Sequence, residues 1–207
     1  MMKSCVLTIC SINYINKAII FFDSFKKNNP ACEVFLILAD RKITHQKIED
    51  LKKLGIQILW VEDLGISNLL QKAFCFDIIE FNTNIKPRVL QLLLEQYEKV
   101  IYFDPDICVF NSVQAVLDEL EPYAILLTPH YLLPIQDSQK PNDWELLKFG
   151  VFNLGFIAVK RHPSTTAFLQ WWSSRCLELG FYEPQTGLAV DQKWISLAPG
   201  FFEGIKV

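Results

Sequence analysis

Short apolar runs alternate with segments of helical periodicity at the start of this chain. The runs Cys5–Cys10, Val34–Ala39 and Ile56–Val61 are each typical of a strand that is buried on both faces. Apolar residues recur at helical spacing from about Ile15 to Lys27 and from about Thr44 to Leu54. This strand-helix-strand-helix-strand order predicts a parallel sheet with right-handed crossovers, which places the chain in the α/β class.

The same patterns continue along the chain and predict one domain over residues 1–207. Further strands are predicted at 100–103, 124–127 and 152–159, with an edge strand at 201–207. Further helices are predicted at 69–81, from 86 onwards, at 112–120 and at 163–179, with a helical turn at 190–194. Residues 128–142 are predicted to form a long irregular connection, which is typical of a lid or a mobile loop.

Composition argues against several classes of protein. The chain is 51% hydrophobic and has a formal net charge of -3, so neither disorder nor nucleic-acid binding is indicated. No apolar stretch reaches the roughly 18 residues that a membrane helix needs. The six cysteines are scattered without a Cys-x-x-Cys pair, which argues against a zinc site or a disulfide framework. We expect a cytoplasmic protein, either free or peripheral to a membrane, with no transmembrane segment.

Two carboxylates follow directly on an apolar strand in the sequence VIYFDPDICVF. In open α/β sheets, ligands bind beyond the carboxyl ends of the strands. Residues i and i+2 of an extended segment point to the same side, so Asp104 and Asp106 can reach one ion together. Mg²⁺ and Mn²⁺ prefer oxygen ligands and bridge to phosphates. The motif therefore predicts a metal site, and the alternative is an ordinary Asp-Pro-Asp turn.

The sequence contains neither of the common glycine-rich phosphate loops. No Gly-x-Gly-x-x-Gly follows the first strand, and no Walker loop occurs anywhere. Phosphates must therefore be held in another way, and a metal on carboxylates is one such way. Lys86 is a second candidate because Lys86-Pro87 opens a predicted helix, whose N-terminus attracts anions. The alternative for Lys86 is a solvated lysine.

Six short motifs follow one another in a recognisable order. They are Asn13-Tyr14 after the first strand, Asp40 at the end of the second, Lys86-Pro87, the Asp104/Asp106 motif, Phe152 to Gly155 (FNLG), and Asp191-Gln192. Over essentially the whole chain, this order resembles the metal-dependent nucleotide-sugar glycosyltransferases of GT-A fold, in particular the bacterial group close to glycogenin and the lipopolysaccharide galactosyltransferases.

The resemblance implies a fold, an activity and a cofactor. The fold would be a Rossmann-like GT-A domain with a mixed, mostly parallel central sheet flanked by helices. The activity would be transfer of a sugar from a nucleotide-diphosphate donor, with a UDP-sugar favoured, to a saccharide, lipid-linked or protein acceptor that stays open. The cofactor would be Mn²⁺ or Mg²⁺. Ser11, Asn13 and Asp40 would hold the base and ribose, and Lys86 would lie near the diphosphate or the donor sugar.

The remaining residues would carry the metal and the reaction. By the same resemblance, Asp104 and Asp106 bind the metal that bridges the diphosphate, and Asp104 also approaches the ribose or sugar. Asn153, Asp191 and Gln192 line the donor sugar and reaction centre. Asp191 is a candidate general base for the acceptor hydroxyl in an inverting enzyme, and in a retaining one Asp191 or Gln192 stays near the anomeric carbon. The structural alternatives are that Asn153 caps a turn and that Asp191 caps a helix.

Two features depart from the family pattern. Ser11-Ile12 stands where some relatives have an acidic residue before the Asn-Tyr pair, which leaves base selectivity open. The chain stops at Val207, whereas many relatives continue, and in the galactosyltransferase group a later histidine completes the metal shell. The three histidines, at 45, 130 and 162, do not match that position. Either a water replaces this ligand, or the chain is truncated at its C-terminus and lacks its acceptor-binding part.

Two other functions compete with the transferase. Haloacid-dehalogenase-like phosphatases also place Asp-x-Asp after a buried strand, but after the first strand, and their motif continues into Thr or Val. Here Ile107 follows, in mid-chain and after three predicted strands. The second alternative is a nucleotide-sugar-binding module or an inactive truncated transferase fragment, which the early stop favours.

Overall fold

The computed structural model describes residues 3–134 and 140–207, and a seven-stranded sheet lies at its centre. The strands in chain order are β1 (Ser4–Cys10), β2 (Glu33–Leu38), β3 (Gln57–Trp60), β4 (Lys99–Phe103), β5 (Ile125–Pro129), β6 (Phe152–Lys160), β7 (Tyr182–Glu183), β8 (Leu188–Ala189) and β9 (Ile205–Lys206). The main sheet has the order β3-β2-β1-β4-β6-β5-β9, and β7 pairs with β8 in a separate ribbon.

Parallel pairing dominates the main sheet, as the sequence predicted. Strand β1 is parallel to β2 and β4, β2 is parallel to β3, and β5 is parallel to β9. Strand β6 is antiparallel to both of its neighbours, β4 and β5. Because β6 runs against β4, Phe156 lies opposite Phe103, and the first residues of β6 lie beside the carboxyl end of β4.

Helices cover both faces of the sheet. They are α1 (Ile15–Asn28), α2 (Gln46–Lys53), α3 (Leu69–Cys75), α4 (Ile78–Asn84), α5 (Lys86–Leu94), α6 (Gln114–Glu119), α7 (Asp143–Phe149), α8 (Pro163–Leu179), α9 (Val190–Ile195) and α10 (Ala198–Phe201). Helices α1 and α2 pack on one face, and α4, α5, α8 and α9 pack on the other. None of the helices in the described ranges is long and apolar enough to cross a membrane.

The central strands are apolar on both sides because each side meets a helical layer. In β1, Leu7 and Ile9 pack into the core under α5 and α8, while Val6 and Cys10 pack under α1. Full burial of one such aliphatic side chain contributes roughly 2 kcal/mol. Two-sided burial explains why these strands are continuous apolar runs in the sequence instead of alternating patterns.

The helix predicted at 69–81 is in fact two helices. Helix α3 ends at Cys75, and Asp77 starts α4 by accepting hydrogen bonds from the backbone N–H groups of Ile79 and Glu80. The Glu80 carboxylate accepts in return from the backbone N–H of Asp77. In a continuous helix these backbone N–H groups would bond to carbonyls of the preceding turn. Here the reciprocal cap satisfies them instead, so the chain starts a new helix at Asp77.

Two predictions near the C-terminal half also need correction. Part of the connection predicted at 128–142 is regular, because β5 extends to Pro129 and Asn142 caps α7; residues 135–139 lie outside the described residues. The edge strand predicted at 201–207 is shorter, because α10 ends at Phe201 and only Ile205–Lys206 pairs with β5.

A close approach between α4 and the end of α8 gives a prediction for stability. A Cβ placed on Gly180 would lie 2.1 Å from Oδ1 of Asn84, a fully buried side chain that donates to the Gly180 carbonyl. We expect Gly180→Ala to lower the free energy of unfolding in urea by about 3 kcal/mol, through overpacking. Gly200→Ala is the matched control, because nothing lies within 4 Å of a Cβ there. Equal losses in the two variants would contradict this account.

Candidate active site

A cleft of about 310 Å³ opens at the carboxyl ends of β1 and β4. Its walls come from three segments: the loop after β1, the Asp-Pro-Asp turn after β4, and helix α4. A larger depression of about 590 Å³ lies near Lys99, at the amino ends of the same strands, and Lys99 there is already paired with Glu121. Paired carboxylates line the smaller cleft, so the candidate chemistry lies there.

The Asp104 carboxylate is held by Tyr102 and has free space beside Gly155. The hydroxyl of Tyr102 donates to its Oδ1 atom, and burial with the nearby Asp104 charge raises the pKa of that hydroxyl well above its usual value. Tyr102 therefore keeps its proton and remains a donor. On the other side, a Cβ placed on Gly155 would lie 3.1 Å from Asp104 Oδ2, so a glycine there leaves room for the carboxylate.

Asp106 is exposed and lies at the open side of the cleft. Its Oδ2 atom is 3.4 Å from the hydroxyl of Tyr14, whose pKa the Asp106 charge raises. This long contact holds Asp106 weakly. One carboxylate of the pair is thus fixed by the core, and the other is free to turn towards a ligand.

The loop after β1 is braced by Asp40. The Asp40 Oδ2 atom accepts a hydrogen bond of 2.7 Å from the backbone N–H of Ile12. Ser11 and Asn13 from this loop line the cleft, whereas Asp40 stands behind the loop and is not part of the lining. The structure therefore brings Ser11, Asn13, Asp104 and Asp106 together in the cleft. It places Asp40 behind the loop, outside the cleft lining.

Lys86 and Asp191 form a buried ion pair close to Asp104. The Lys86 ammonium lies 2.7 Å from Asp191 Oδ2, and both side chains are at most 3% exposed. The same ammonium donates to the Leu154 carbonyl and lies 4.4 Å from the centre of the Tyr102 ring. Burial raises the pKa of the Asp191 carboxyl, the Lys86 charge opposes the rise, and the Asp104 charge adds to it.

The backbone around Asp191 is also constrained. The indole N–H of Trp172 donates to the Asp191 carbonyl over 3.1 Å. Val190 has a φ of 44°, which is rare for a β-branched residue and is the kind of strain that clusters at functional sites. Asp191 is in the first turn of α9 and Ala189 is the N-cap, so the alternative that Asp191 caps this helix is wrong.

The side chains of Asn153 and Gln192 have different surroundings. Asn153 is exposed, its Oδ1 accepts from the backbone N–H of Gly155, and it flanks Gly155 together with Asp104. Gln192 packs against Gly150, and its amide donates to the Phe149 carbonyl at the end of α7. The structure thus places Asn153 beside Asp104 and turns the Gln192 amide away towards α7.

Asp104 and Asp106 are the residues that could hold a divalent ion. In residues 3–134 and 140–207, no group of three or more His, Cys, Asp or Glu side chains is arranged to hold a metal. Mg²⁺ is usually bound through one or two carboxylates and completes its shell with water and substrate phosphates. Two carboxylates at an open cleft therefore suit an ion that arrives with a diphosphate, rather than a permanent structural metal.

Several site residues escaped the sequence prediction. The sequence pattern predicts only that Tyr102 is one more apolar strand residue and that Trp172 is one position on the apolar face of a helix. Asn82 lines the cleft, and in the sequence it follows a predicted helix, in an Asn-Thr-Asn stretch that indicates only the end of that helix. The only signal in the sequence was a polar group inside an apolar run. The Tyr102 hydroxyl is an example, because it needs a hydrogen-bond partner when it is buried.

A model of glycosyl transferase family 8 matches residues 5–160. The chain belongs to this family. It is a glycosyltransferase, as the resemblance predicted. This family 8 chain is also 25% identical to the uncharacterized protein YfnF of Bacillus subtilis strain 168, over 207 residues that cover 99% of the chain and 68% of YfnF.

Solved structures confirm the GT-A fold of the family 8 chain. The galactosyltransferase LgtC, in complex with donor and acceptor sugar analogues, is 18% identical, with a TM-score of 0.59 over 97% of this chain and 71% of LgtC. The bifunctional glycosyltransferase WbbM is 14% identical, with a TM-score of 0.64 over 99% of this chain and 38% of WbbM. The S. cerevisiae mannosyltransferase Ktr4p, in complex with GDP, is 12% identical, with a TM-score of 0.62 over 98% of this chain and 67% of Ktr4p.

The buried ion pair gives a prediction for stability. Lys86→Met leaves the Asp191 carboxyl buried without a counter-ion, so we expect the free energy of unfolding in urea to fall by about 3–5 kcal/mol. The double variant Lys86→Met/Asp191→Leu should recover part of this loss. Lys52→Met is the control, because Lys52 pairs with Glu49 at the exposed surface and should change stability by less than about 1 kcal/mol. A Lys86 variant as stable as this control would contradict the buried ion pair between Lys86 and Asp191.

Proposed function

We propose that this chain transfers a sugar from a nucleoside-diphosphate donor, with a UDP-sugar favoured, and that Mn²⁺ or Mg²⁺ assists the transfer. The observation that carries the proposal is the placement of Asp104 and Asp106 at the cleft beyond β4. The donor and acceptor analogues bound to LgtC and the GDP bound to Ktr4p support a nucleotide-sugar donor. The acceptor is a saccharide, a lipid-linked molecule or a protein.

The nucleoside would occupy the part of the cleft formed by the loop after β1. Tyr14 is 42% exposed and Ile79 is 67% exposed, and both line the cleft. A flat base can stack on such surfaces and bury apolar area. Ser11 and Asn13 offer hydrogen-bonding groups at the same end, and Asp40 keeps their loop in place through Ile12.

The diphosphate would lie next to the Asp-Pro-Asp turn. Asp104 and Asp106 would hold the divalent ion, which would supply Lewis-acid stabilisation of the leaving diphosphate. Tyr102 fixes the Asp104 carboxylate beforehand, so no reorganisation of this ligand is needed when the donor binds. Lys86 adds a positive charge beneath the site, although its direct hydrogen bonds go to Asp191 and to the Leu154 carbonyl.

The donor sugar would lie between the Asp104 side of the cleft and the start of α9. The Asn153 amide beside Asp104 can hydrogen-bond a sugar hydroxyl, since its Oδ1 is already used by Gly155 and its N–H groups remain. Asp191 lies close enough to Asp104 for their charges to interact. We assign Gln192 to the reaction centre on the family resemblance, and this role requires its amide to leave the Phe149 carbonyl. One solved LgtC structure carries an active-site mutation of a glutamine to glutamate, so a glutamine is present in that enzyme's active site.

A nucleotide-sugar-binding module without transfer is the second candidate. The observation that favours it is that two reaction-centre side chains already have partners within the protein. Lys86 donates a hydrogen bond to the Asp191 carboxylate, and the Gln192 amide donates to the Phe149 carbonyl. Release of UDP from a UDP-sugar, to water or to an added acceptor, indicates transfer, whereas a binding module releases none. An assay of UDP release with Mn²⁺ separates the two functions.

The metal assignment is tested by calorimetric titration of UDP, and then GDP, with and without Mn²⁺. We expect UDP binding that requires Mn²⁺. Asp106→Asn removes a charged ligand from an exposed position, so it should weaken UDP binding in Mn²⁺ by at least about tenfold without changing thermal stability.

Asp23→Asn is the control for that experiment, because Asp23 is exposed on α1 and does not line the cleft. It should bind UDP like the unsubstituted protein. Unchanged UDP affinity in Asp106→Asn would remove the metal site from the proposal. UDP binding that does not need Mn²⁺ would support the nucleotide-sugar donor and contradict the role of the metal ion.

A further inference from the structure

A separate cleft, of about 520 Å³, lies between α7 and the turn that joins β7 to β8. We call it the α7 cleft. Its lining residues come from α7, from that turn and from α9, and they are Trp144, Leu147, Lys148, Pro184, Gln185, Thr186, Gly187 and Lys193. None of them lines the cleft at Asp104 and Asp106, so the two clefts are distinct.

Contacts within the protein hold the walls of the α7 cleft in place. The Lys193 ammonium, from α9, donates to the Leu147 carbonyl near the C-terminal end of α7. The ring of Phe149 stacks on Tyr182 of β7, with centroids 6.1 Å apart and 7° between the ring planes. These contacts join α7 to α9 and to the β7–β8 ribbon. The cleft is therefore formed before any ligand binds.

Trp144 presents an open aromatic surface to the α7 cleft. It is 75% exposed, although tryptophan has a large apolar side chain. An indole ring has an electron-rich face, and the C–H groups on one face of a pyranose ring form an apolar surface that packs on such a face. Gln185 and Thr186 bring polar side chains to the same cleft, and amide and hydroxyl groups can bond to sugar hydroxyls. This combination suits a sugar ring.

The α7 cleft is positively charged, in a chain whose formal net charge is -3. Lys148 and Lys193 line it, and among residues 3–134 and 140–207 no acidic side chain does. Lys148 lies 5.2 Å from the centre of the Phe149 ring, and Lys193 uses one hydrogen on the Leu147 carbonyl. An ammonium group has three donors, so both lysines keep donors for a ligand. Hydrogen bonds from these groups to a carboxylate are charge-assisted.

We propose that the α7 cleft binds a sugar residue that carries a carboxylate, with its ring on Trp144 and its carboxylate at Lys148 and Lys193. In a glycosyltransferase, a sugar held outside the donor cleft belongs to the acceptor. The inference therefore names an acidic saccharide as the acceptor class, and this step rests on the proposed function. The binding of the acidic sugar itself does not.

The position of Lys193 relates the α7 cleft to the proposed reaction centre. Lys193 is two positions after Asp191 in α9, and residues at that spacing lie on opposite faces of a helix. The two sites are thus separated by the width of one helix, about 10 Å. The acidic residue would therefore be a remote part of an acceptor oligosaccharide, and another residue of that chain would receive the transferred sugar.

Methyl β-D-glucuronide and methyl β-D-glucoside are the matched probes, because they share one ring and differ only in the carboxylate. Their binding to the full chain can be followed by saturation-transfer NMR titration of the sugar protons. We expect the glucuronide to bind about fivefold more tightly than the glucoside. Saturating UDP with Mn²⁺ should leave the affinity for the glucuronide unchanged, because the clefts are separate.

Two substitutions separate the stacking from the charge. Trp144→Ala should weaken the binding of both sugars by at least about tenfold, and Trp144→Phe should keep most of it, because a second aromatic ring restores the stacking surface. Lys148→Glu should lower the affinity for the glucuronide to that for the glucoside or below, with little change for the glucoside.

Phe110→Ala and Lys27→Glu are the control variants, because both residues are exposed and neither lines the α7 cleft. Each should bind the two sugars like the unsubstituted protein. Thermal unfolding of every variant separates loss of binding from loss of fold.

The outcomes distinguish this inference from the proposed function. Absence of glucuronide binding, equal affinity for the two sugars, binding that survives Trp144→Ala, or displacement of the glucuronide by UDP each overturns the inference. UDP binding without glucuronide binding leaves the transferase and removes the acidic-sugar site. Glucuronide binding that depends on Trp144, in a chain that binds no UDP, supports the site and overturns the proposed function.

Discussion

The ion pair between Lys86 and Asp191 holds together the elements that surround the cleft. Lys86 begins α5, Asp191 lies in the first turn of α9, and their charged atoms are 2.7 Å apart in the core. Burying two charges costs several kcal/mol per ion, and this cost is offset only when further partners are available. Here the Leu154 carbonyl and the Tyr102 ring supply those partners for Lys86. The pair therefore fixes β4, β6, α5 and α9 relative to one another.

The position of the carboxylates follows from the reversal of one strand. Parallel strands β1 and β4 end at the same edge of the sheet, which brings the loop of Ser11 next to Asp104. Because β6 is antiparallel to β4, its first residues, Asn153 to Gly155, arrive at that edge as well. Gly155 leaves space for the Asp104 carboxylate, and Tyr102 orients it from below. One edge of the sheet thus concentrates negative charge beside a buried cation.

Much of the fold could be predicted from the sequence because both faces of the central strands are buried. Continuous apolar runs marked β1, β2 and β4, and the order of elements indicated parallel pairing. The break between α3 and α4 was missed although Asp77 and Glu80 carry a capping pattern. The Asp-Pro-Asp turn was located correctly at the end of a strand, because strand end and turn residues are local features.

The contacts that shape the site could not be predicted in the same way. Lys86 and Asp191 are 105 positions apart, and Asn82 and Ser11 are 71 apart, so only tertiary packing reveals that they touch. The resemblance named Lys86, Asp191 and Gln192 as site residues, but it gave no sign that Lys86 is buried or that Gln192 faces α7. Those orientations depend on the lengths of loops and on the packing of α7 and α9.

We propose that Asp104 and Asp106 hold a divalent ion together with the diphosphate of the donor. The most direct measurement is a crystal structure of this chain with UDP and Mn²⁺, with anomalous data collected to locate manganese. We expect one manganese peak bonded to both carboxylates and to the diphosphate, with the base at the Ser11 end of the cleft. UDP bound in the cleft without manganese on these carboxylates, or manganese and UDP at another place, would contradict it.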